Sequence, residues 1–295
     1  MLEKKSILAI VVTYHPDSSF PERFESLAGQ VDTVLIVDNN SGPSAVSMLR
    51  EAAARLDTDL ILNSENVGLA AALNIGVKEA IAKGYEWALL FDQDTVPGNN
   101  IVEGLCQAYD DFPRKEKLAI IGSNYNEPDT GKLRFSPLAM DGRSWKERRV
   151  VITSGSLLSL RIYGMLGPFR DEYFIDCVDL EYCLRARSRG FEVIRTGKPL
   201  MVHGIGKPTR HRLPWREIDV SNHSRVRRYY MIRNNIDMAK KYLLREPAWV
   251  LASLWTRFKS MLLLCVFEDD KLAKVRYAAM GLFDGLCSKF DRKLT

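Results

Sequence analysis

Two carboxylates, one residue apart, end an apolar run in the first third of the chain. The run from Trp87 to Phe91 is followed at once by Asp92 and, two positions later, by Asp94. Side chains at positions i and i+2 of an extended chain point to the same side, so both carboxylates would face one site. Like charges that close repel unless a cation or a shared proton neutralises them, and Mg2+ and Mn2+ prefer oxygen ligands. The pattern predicts a metal-diphosphate site, although Asp-x-Asp is also a common turn sequence.

Other polar residues follow apolar runs that are typical of strands buried on both faces of a parallel sheet. The run that starts at Ile7 ends in Thr13 and Tyr14, and the next run ends in Asp38. These runs alternate with helical stretches, which predicts βαβ units and a mostly parallel sheet with right-handed crossovers. Ligands of such sheets bind beyond the carboxyl ends of the strands. We therefore expect Asp38, Asn66 and the two later carboxylates at that edge.

Length, charge and cysteine content limit the class of protein. The chain has 295 residues and a net charge of +5, which suits one large domain or two smaller ones and argues against a dedicated nucleic-acid binder. The first residues show no apolar stretch of the secretory type, and the five cysteines lack CxxC spacing. A protein of the reducing cytoplasm fits these features best.

A second group of acids opens a helix predicted between Phe174 and Gly190. Asp176, Asp179 and Glu181 come early in this segment, and arginines come late. Helix capping and the helix dipole explain that charge order without any chemistry. The alternative is that one of the acids lies at a cleft and acts as a general base. Both interpretations remain open from the sequence.

Two segments show features of ligand contact. Thr153-Ser154-Gly155 is a small polar turn within a strand-like run from Val150 to Leu160, and it suits either close backbone approach to a ligand or an ordinary hairpin bend. The segment from Lys198 to Arg233 has nine basic and two acidic residues and three of the four histidines. Its glycines and prolines predict a mobile basic loop that could close over a diphosphate. Residues 123–150 are expected to form loops and an irregular hairpin.

The C-terminal part is predicted to be helical from Asn222 onward. An apolar stripe runs from Leu251 to Cys265 at helical spacing, and Lys271, Lys274 and Arg276 follow it. We expect this stripe to be too short and too interrupted to span a bilayer. It could pack in a core, form a dimer face, or lie on a membrane surface beside the basic residues.

Taken in order, these motifs resemble those of the GT-A inverting glycosyltransferases of family 2 and, within that family, the bacterial rhamnosyltransferases. The resemblance extends from Ile7 to about Asn234. It includes the first two strand ends, Asn66-Val67-Gly68, Asp92-Gln93-Asp94, Thr153-Ser154-Gly155, a helix aligned on Cys183-Leu184-Arg185, His203-Gly204-Ile205-Gly206 and Arg228-Tyr229-Tyr230-x-x-Arg233-Asn234.

The resemblance implies a donor site and a metal site. In the family, Asp38 would contact the pyrimidine base, Asp92 would lie near the ribose, and Asp94 and His203 would bind Mg2+ or Mn2+. The implied nucleotide-sugar contacts are Thr13, Tyr14, Asp38, Asn66, Gly68, Asp92 and Arg233.

The resemblance also implies an acceptor side with a general base. Thr153, Ser154 and Gly155 would border the acceptor. The family's Glu-Asp catalytic pair is replaced here by Val178-Asp179, which leaves Asp179 as the expected base and Asp176 as a substitute for the upstream acid.

The implied fold is α/β: a GT-A, Rossmann-like, mostly parallel sheet flanked by helices, in a catalytic domain of residues 1–220. A helical region of residues 221–295 would contact a membrane surface or a second copy of the chain. The implied reaction moves L-rhamnose from dTDP-L-rhamnose to a hydroxyl of a lipid-linked bacterial cell-surface glycan, such as O-antigen, at the cytoplasmic face of the plasma membrane.

Three alternatives compete with this function. One is a transferase of the same fold that uses a UDP-sugar, and another is a catalytically degenerate, membrane-associated assembly partner. The third is a nucleotidyltransferase that makes sugar nucleotides. That class carries a glycine-rich loop for the triphosphate after the first strand, whereas this chain has Thr13-Tyr14-His15-Pro16 there.

Overall fold

A computed structural model describes residues 2–128, 131–134, 143–204, 209–213 and 216–294. The chain forms two compact units, Met1–Asp171 with Val178–Gly204, and Glu172–Cys177 with Ile205–Thr295. The last boundary between the two units therefore lies between residues 204 and 205. The assignment of residues 1–220 as the catalytic domain and 221–295 as a helical region stays a prediction.

The first unit contains nine strands and six α-helices among the described residues. The strands are β1 (Ile7–Thr13), β2 (Thr33–Asp38), β3 (Asp59–Leu62), β4 (Trp87–Asp92), β5 (Val96–Pro97), β6 (Leu118–Asn126), β7 (Trp145–Glu147), β8 (Ser156–Ser159) and β9 (Glu192–Val202). The helices are α1 (Phe20–Ala28), α2 (Pro43–Arg55), α3 (Leu69–Ala82), α4 (Ile101–Asp111), α5 (Leu160–Leu166) and α6 (Val178–Ser188).

The nine strands form one sheet in the order β3-β2-β1-β4-β8-β6-β9-β5, and β7 also pairs with β9. Strands β1 to β4 are parallel to one another, and β6 is parallel to β9. Strand β8 lies antiparallel between β4 and β6, which is why the strand-helix alternation fades from the sequence after residue 121. The α/β fold predicted from the sequence is confirmed.

Strand β1 shows why the early apolar runs are continuous. Ile7, Ala9 and Val11 belong to a core cluster that also holds apolar residues of α1, α2 and α4. On the other face, Ile10 contacts α3 so closely that a Cβ at Gly76 would lie 2.6 Å from its side chain. Helices cover both faces of the strand, so every position in it is apolar up to Thr13.

Two predictions for the middle of the chain are wrong in part. The strand expected from Val150 to Leu160 is only β8, because Ser159 accepts a hydrogen bond from the backbone N–H of Ile162 and so begins α5. In the segment 123–150, β6 continues to Asn126 and β7 forms later, where loops were expected, whereas an isolated antiparallel bridge between Asn126 and Leu133 agrees with the predicted irregular hairpin; residues 129–130 and 135–142 lie outside the described residues. The polar end of β6 can be buried because its polar side chains form hydrogen bonds. For example, the Asn124 side chain donates to the carbonyl of Gly197 at 3.0 Å.

The second unit contains a hairpin and three helices among the described residues: β10 (Thr209–Leu213), β11 (Arg216–Val220), α7 (Arg225–Tyr242), α8 (Pro247–Phe267) and α9 (Lys271–Leu286). The prediction of a mobile basic loop is therefore wrong for residues 209–213 and 216–220, which form an antiparallel pair of strands. Opposite charges lie across from each other in this pair of strands and favour its register, because Arg210 pairs with Asp219 at 3.0 Å and Arg212 with Glu217 at 2.9 Å. Gly206, Pro208 and Pro214, on which much of that prediction rested, lie outside the described residues, as do Ile205 and Lys207.

Helix α8 carries the apolar stripe. Leu251, Trp255, Phe258 and Leu262 are each more than half exposed, so packing in the core of this chain is the wrong interpretation of the stripe. The expectation that the segment is too short to span a bilayer is also wrong. The helix has 21 residues and, among the described residues, is the one that is long and apolar enough to cross a membrane by length and composition, which alone is a weak indication.

Candidate active site

The carboxyl edge of the first unit's sheet brings Asp92, Asp94 and His203 together. Asp92 is the last residue of β4, and Asp94 follows in the turn that leads to β5. Strand β5 pairs with β9 in a register that sets Val96 opposite Val202, so the residue after β9, His203, returns beside this turn. One ligand atom from each of the three side chains lies within 4.8 Å of the others.

The three side chains form a donor set that fits a divalent cation. The His203 ring is 9% exposed, and burial lowers its pKa below the usual value of 6.5 even though Asp94 lies 3.9 Å from Nδ1. A neutral imidazole can offer a nitrogen lone pair at neutral pH. Two carboxylates and one imidazole suit Mn2+ or Mg2+. The sequence predicted Asp94 and His203 as ligands, and the structure adds Asp92, expected near the ribose, to the same cluster.

A chain of hydroxyl groups connects members of this cluster. The backbone N–H of Asp92 donates to Ser154 Oγ at 3.1 Å, and Ser154 Oγ lies 2.6 Å from Thr95 Oγ1. Thr95 Oγ1 lies 2.7 Å from His203 Nδ1. Sequence reasoning missed Thr95, although it directly follows Asp94 and could have been found as a polar residue at the end of an apolar strand.

The turn predicted to border the acceptor has an internal role for two of its three residues. Ser154 is fully buried in the hydroxyl chain just described. Gly155 has a φ of +67°, and a Cβ there would lie 2.4 Å from the sulfur of Met201, so only glycine fits. Both residues are buried in this conformation, and a border with the acceptor stays a prediction for the turn.

Thr153 connects the same turn to the expected base. Its backbone N–H donates to Asp179 Oδ2 at 2.9 Å, and Asp179 Oδ1 accepts from the backbone N–H of Leu180 at 2.8 Å. Asp179 lies in the first turn of α6, where a carboxylate also suits the helix dipole. Thr153 and Ser154 therefore bind, respectively, the candidate base and the backbone of the metal cluster, which fixes both within one unit.

The ends of β1 and β2 form the predicted nucleotide side. Thr13 Oγ1 donates to Asp38 Oδ1 at 2.8 Å, and the backbone N–H and hydroxyl of Ser41 donate to the two oxygens of the same carboxylate at 2.8 and 2.6 Å. These three hydrogen bonds enclose Asp38, which is 0% exposed. The Asp38 carboxylate therefore shapes the loop after β2, and its contact with a base stays a prediction.

Tyr14 and Asn66 lie in exposed or half-exposed turns of the same unit. Tyr14 is 45% exposed, and its backbone N–H and C=O both pair with the side chain of Gln93, at 2.7 and 3.0 Å. This pair ties the end of β1 to the Asp-Gln-Asp turn. Asn66 Oδ1 accepts from the backbone N–H of Gly68 at 3.0 Å, and Gly68, with a φ of +86°, starts α3.

In the second unit, Asp176 is held by its own neighbours. Arg227 binds its carboxylate with two nitrogens, Nε at 3.0 Å from Oδ2 and Nη2 at 3.3 Å from Oδ1. The Asn234 side chain donates to the backbone carbonyls of Tyr173, Ile175 and Asp176, each at 2.9 Å. Asp176 lies before α6 rather than in it, with a φ of +64°, so helix capping does not explain it.

Arg233, predicted to contact the nucleotide sugar, is buried in the second unit, and its contact with the donor stays a prediction. Its side chain is 0% exposed and lies against the rings of Tyr230 and Phe290, with 4.8 and 5.0 Å between the guanidinium carbon and the ring centroids. It also donates to the backbone carbonyl of Glu172 and, at 3.0 Å, to Asn234 Oδ1. A guanidinium with these partners and no exposure is part of the internal packing.

Comparisons with known proteins agree with this geometry. The family model described as "Glycosyl transferase family 2" matches residues 8–154. A dTDP-rhamnosyl transferase, RfbF of Shigella flexneri, is 30% identical over 251 residues, which cover 80% of this chain and 80% of that protein.

Solved structures show the same fold. S. aureus TarS 1-349 in complex with UDP-GlcNAc has a TM-score of 0.58 at 14% identity, over 97% of this chain and 88% of that one. Mannosyltransferase PcManGT from Pyrobaculum calidifontis, in complex with GDP-Man and Mn2+, has a TM-score of 0.58 at 14% identity, over 98% and 88%. With its GT-A fold and the RfbF relationship, the chain belongs to glycosyl transferase family 2.

Proposed function

We propose that this glycosyltransferase moves L-rhamnose from dTDP-L-rhamnose to a hydroxyl of a lipid-linked cell-surface glycan, with inversion at the anomeric carbon. The observation that carries the reaction type is the cluster of Asp92, Asp94 and His203 at the carboxyl edge of the sheet. The similarity to RfbF, a dTDP-rhamnosyl transferase, supports the choice of donor.

The metal part of the proposal rests on the donor set. Asp92, Asp94 and His203 would hold Mn2+ or Mg2+, whose charge would offset the negative charge of a leaving diphosphate. The Asp94 side chain is 59% exposed and open to a ligand, whereas His203 is held from behind by Thr95. The two carboxylates would supply the negative charge that holds the cation, and the buried imidazole would add a neutral nitrogen ligand.

Asp179 is the proposed base. An acceptor hydroxyl is a weak nucleophile, so a carboxylate must take its proton as the oxygen attacks the anomeric carbon. The C–O bond to the diphosphate breaks in the same displacement, so the chain needs no covalent sugar intermediate. Asp179 is tied to the turn at Thr153 in the first unit, whereas both oxygens of the Asp176 carboxylate are bound by Arg227 in the second unit.

A UDP-sugar is the second candidate donor, favoured by the likeness to TarS with UDP-GlcNAc. A thermal-shift panel separates the two: a donor at 100 times its Kd should stabilise the protein by about 2.7 kcal/mol. We expect dTDP-L-rhamnose with Mn2+ to shift unfolding more than UDP-GlcNAc or GDP-mannose. If only UDP-sugars bound, the rhamnosyl assignment would be wrong and the transferase assignment would stand.

Release of dTDP from dTDP-L-rhamnose tests the metal cluster. Asp94→Asn should lower turnover about 100-fold or more, because it removes a ligand charge from the leaving-group side. Asp32→Asn, at an exposed turn before β2, is the matched control. Full turnover of Asp94→Asn, or of the wild type in EDTA, would remove the metal from the proposal, and no release with any donor would favour a degenerate assembly partner.

We further propose that the enzyme works in the cytoplasm, with α8 against the anionic inner face of the plasma membrane. The exposed face of α8 is apolar, and Lys259 lies on it with Nζ 5.6 Å from the Trp255 ring centroid. A lysine stem on an apolar face, with its charge at the tip, suits a bilayer interface better than a dry dimer contact.

Vesicle flotation tests the membrane contact. We expect binding to vesicles with phosphatidylglycerol, less binding to neutral vesicles, and loss at high salt. Absence of flotation together with a dimer in sedimentation would assign the face to a second copy of the chain.

A further inference from the structure

We propose that Thr95, supported by Ser154, is a positioning residue that fixes the ring of His203 and leaves Nε2 as its free nitrogen for a divalent cation. This inference rests on the metal-binding part of the proposed function. It concerns a residue between the Asp-Gln-Asp motif and β5 for which the family resemblance implies no role.

The register of two strands brings Thr95 and His203 together. Val96 lies opposite Val202 in the antiparallel pair of β5 and β9, so the residues immediately outside this pair, Thr95 and His203, face each other. Thr95 Oγ1 lies 2.7 Å from Nδ1. That contact occupies the in-plane position of Nδ1, and only Nε2 can then accept another ligand.

The threonine hydroxyl is itself fixed. Ser154 Oγ lies 2.6 Å from Thr95 Oγ1 and accepts the backbone N–H of Asp92 at 3.1 Å. Thr95 is 2% exposed and Ser154 is 0% exposed, so solvent does not compete for these bonds. The two hydroxyl groups therefore fix the imidazole relative to the backbone of Asp92. Asp92 ends β4, and its carboxylate belongs to the same cluster.

The hydroxyl chain suits both tautomers of the imidazole. Each hydroxyl can donate or accept, so Thr95 can bind Nδ1 whether or not that nitrogen carries the proton. A neutral imidazole that binds a cation through Nε2 carries its proton on Nδ1, and Thr95 Oγ1 then accepts it. Asp94 Oδ1 lies 3.9 Å from the same Nδ1, beyond hydrogen-bond distance, and the edge of Tyr125 packs on the ring with 5.6 Å between the centroids. Neither neighbour sets the tautomer.

Titration with Mn2+ alone, followed by the electron paramagnetic resonance signal of free Mn2+, tests the inference without an activity assay. Thr95→Val keeps the shape and removes the hydroxyl, and loss of such a partner behind a metal-binding histidine typically costs about 10- to 100-fold in metal affinity. Thr95→Ser should restore the Mn2+ Kd to within about threefold of the wild type. Thr58→Val is the matched control, since Thr58 lies just before β3 and its hydroxyl contacts only the carbonyl of Ala53, at 3.5 Å.

The thermal unfolding midpoint reports whether Thr95→Val folds. If it does not fold, Ser154→Ala provides a second test of the inference. It leaves the Thr95 contact but removes its support, and we expect a smaller rise in the Mn2+ Kd. A folded Thr95→Val with the wild-type Kd, or equal weakening in Thr95→Ser, would overturn the inference. Wild-type protein without saturable Mn2+ binding would instead overturn the metal part of the proposed function.

Discussion

The polar residues at the sheet edge of the first unit and those of α7 in the second unit behave differently. At the sheet edge, the Asp94 side chain is 59% exposed and three possible metal ligands converge. In α7, Arg228, Arg233 and Asn234 are at most 2% exposed. Both regions carry motifs of the family resemblance, but the first leaves the carboxylate of Asp94 exposed, whereas the second buries its arginines and asparagine inside the protein.

The partners of α7 explain why its motif is polar although it is buried. Arg228 pairs with Glu268, which also binds Lys274 at 2.9 Å, and the hydroxyl of Tyr229 donates to Asp284 at 2.8 Å. Buried polar groups need such partners, because each unpaired one costs free energy. The side chain of Asn234, which binds three carbonyls of residues 173–176, belongs to this group.

Asn234 stabilises a strained segment. Phe174, Asp176 and Cys177 have φ values of 59°, 64° and 62°, a region that residues other than glycine seldom adopt. Such conformations cost on the order of 1–3 kcal/mol each and persist only where the surroundings enforce them. A motif that resembles a ligand site in sequence can therefore stabilise a loop instead of binding a ligand.

The largest effect is expected from the candidate base. Asp179→Asn should lower kcat about 100- to 10,000-fold, the usual contribution of a general base, because the amide cannot take the acceptor proton. Steady-state kinetics with a lipid-linked acceptor measure it. Asp176→Asn is the matched comparison, and it should mainly weaken the Arg227 contact and lower stability. If Asp176→Asn lost turnover as fully while its unfolding was unchanged, the carboxylate of the second unit would be the base.

The buried ion pair of the second unit gives the next effect. Glu268→Gln removes the negative charge between Arg228 and Lys274, and breaking a buried pair in this way costs about 3–5 kcal/mol. Urea unfolding measures the loss, and Asp269→Asn, which changes an exposed neighbour, is the control. We expect the Mn2+ Kd to stay unchanged in Glu268→Gln. A weaker Kd with unchanged unfolding would mean that these charges serve the site.

The sequence predicts the first unit well because its signals are local. Continuous apolar runs such as Ile7 to Val12 and the polar breaks after them locate the strands and their carboxyl ends, which is enough to bring Asp92 and Asp94 to one edge. The position of His203 follows from the family motif. Its contact with Thr95 depends on the β5–β9 pairing, 108 residues apart in the chain, and no local pattern encodes that pairing.

The second unit is harder to predict because charge does not reveal burial. Arginines between Lys198 and Arg233 suggest an exposed basic lid, but Arg210 and Arg212 pair across a hairpin, and Arg228 and Arg233 are buried. The acids that pair with these buried residues, such as Glu268 directly after α8, lie far along the chain. Long-range pairing therefore decides whether a basic residue faces a ligand or the core.

His223 offers a smaller, pH-dependent test of the second unit. Burial and, after it, the charge of Arg227 lower its pKa from 6.5 to about 4, with Arg228 and Arg257 acting in the same direction and Asp176 against it. As pH falls from about 6.5 to 4, the unfolded chain takes up a proton that the folded chain refuses, so stability is lost over this window. The loss is about 3 kcal/mol at 1.36 kcal/mol per pKa unit.

His223→Gln should flatten this part of the pH profile, measured by urea unfolding at pH 7, 5.5 and 4.5. The control is His211→Gln, which changes a histidine on the hairpin strand β10. An unchanged slope in His223→Gln would show that this imidazole is accessible to protons in the folded unit.

The smallest effect concerns Lys259 on the exposed face of α8. Unlike the buried arginines of α7, this basic residue of the second unit is exposed to solvent. Lys259→Gln should weaken binding to anionic vesicles by about 1 kcal/mol, or about fivefold, because each basic residue near an anionic surface contributes roughly that attraction. The difference should shrink as salt rises, since the surface potential is screened within about 10 Å at 0.1 M. Flotation with Lys78→Gln, an exposed change on α3, is the control. Equal binding of Lys259→Gln and wild type at low salt would assign the apolar face of α8 to a contact without charge.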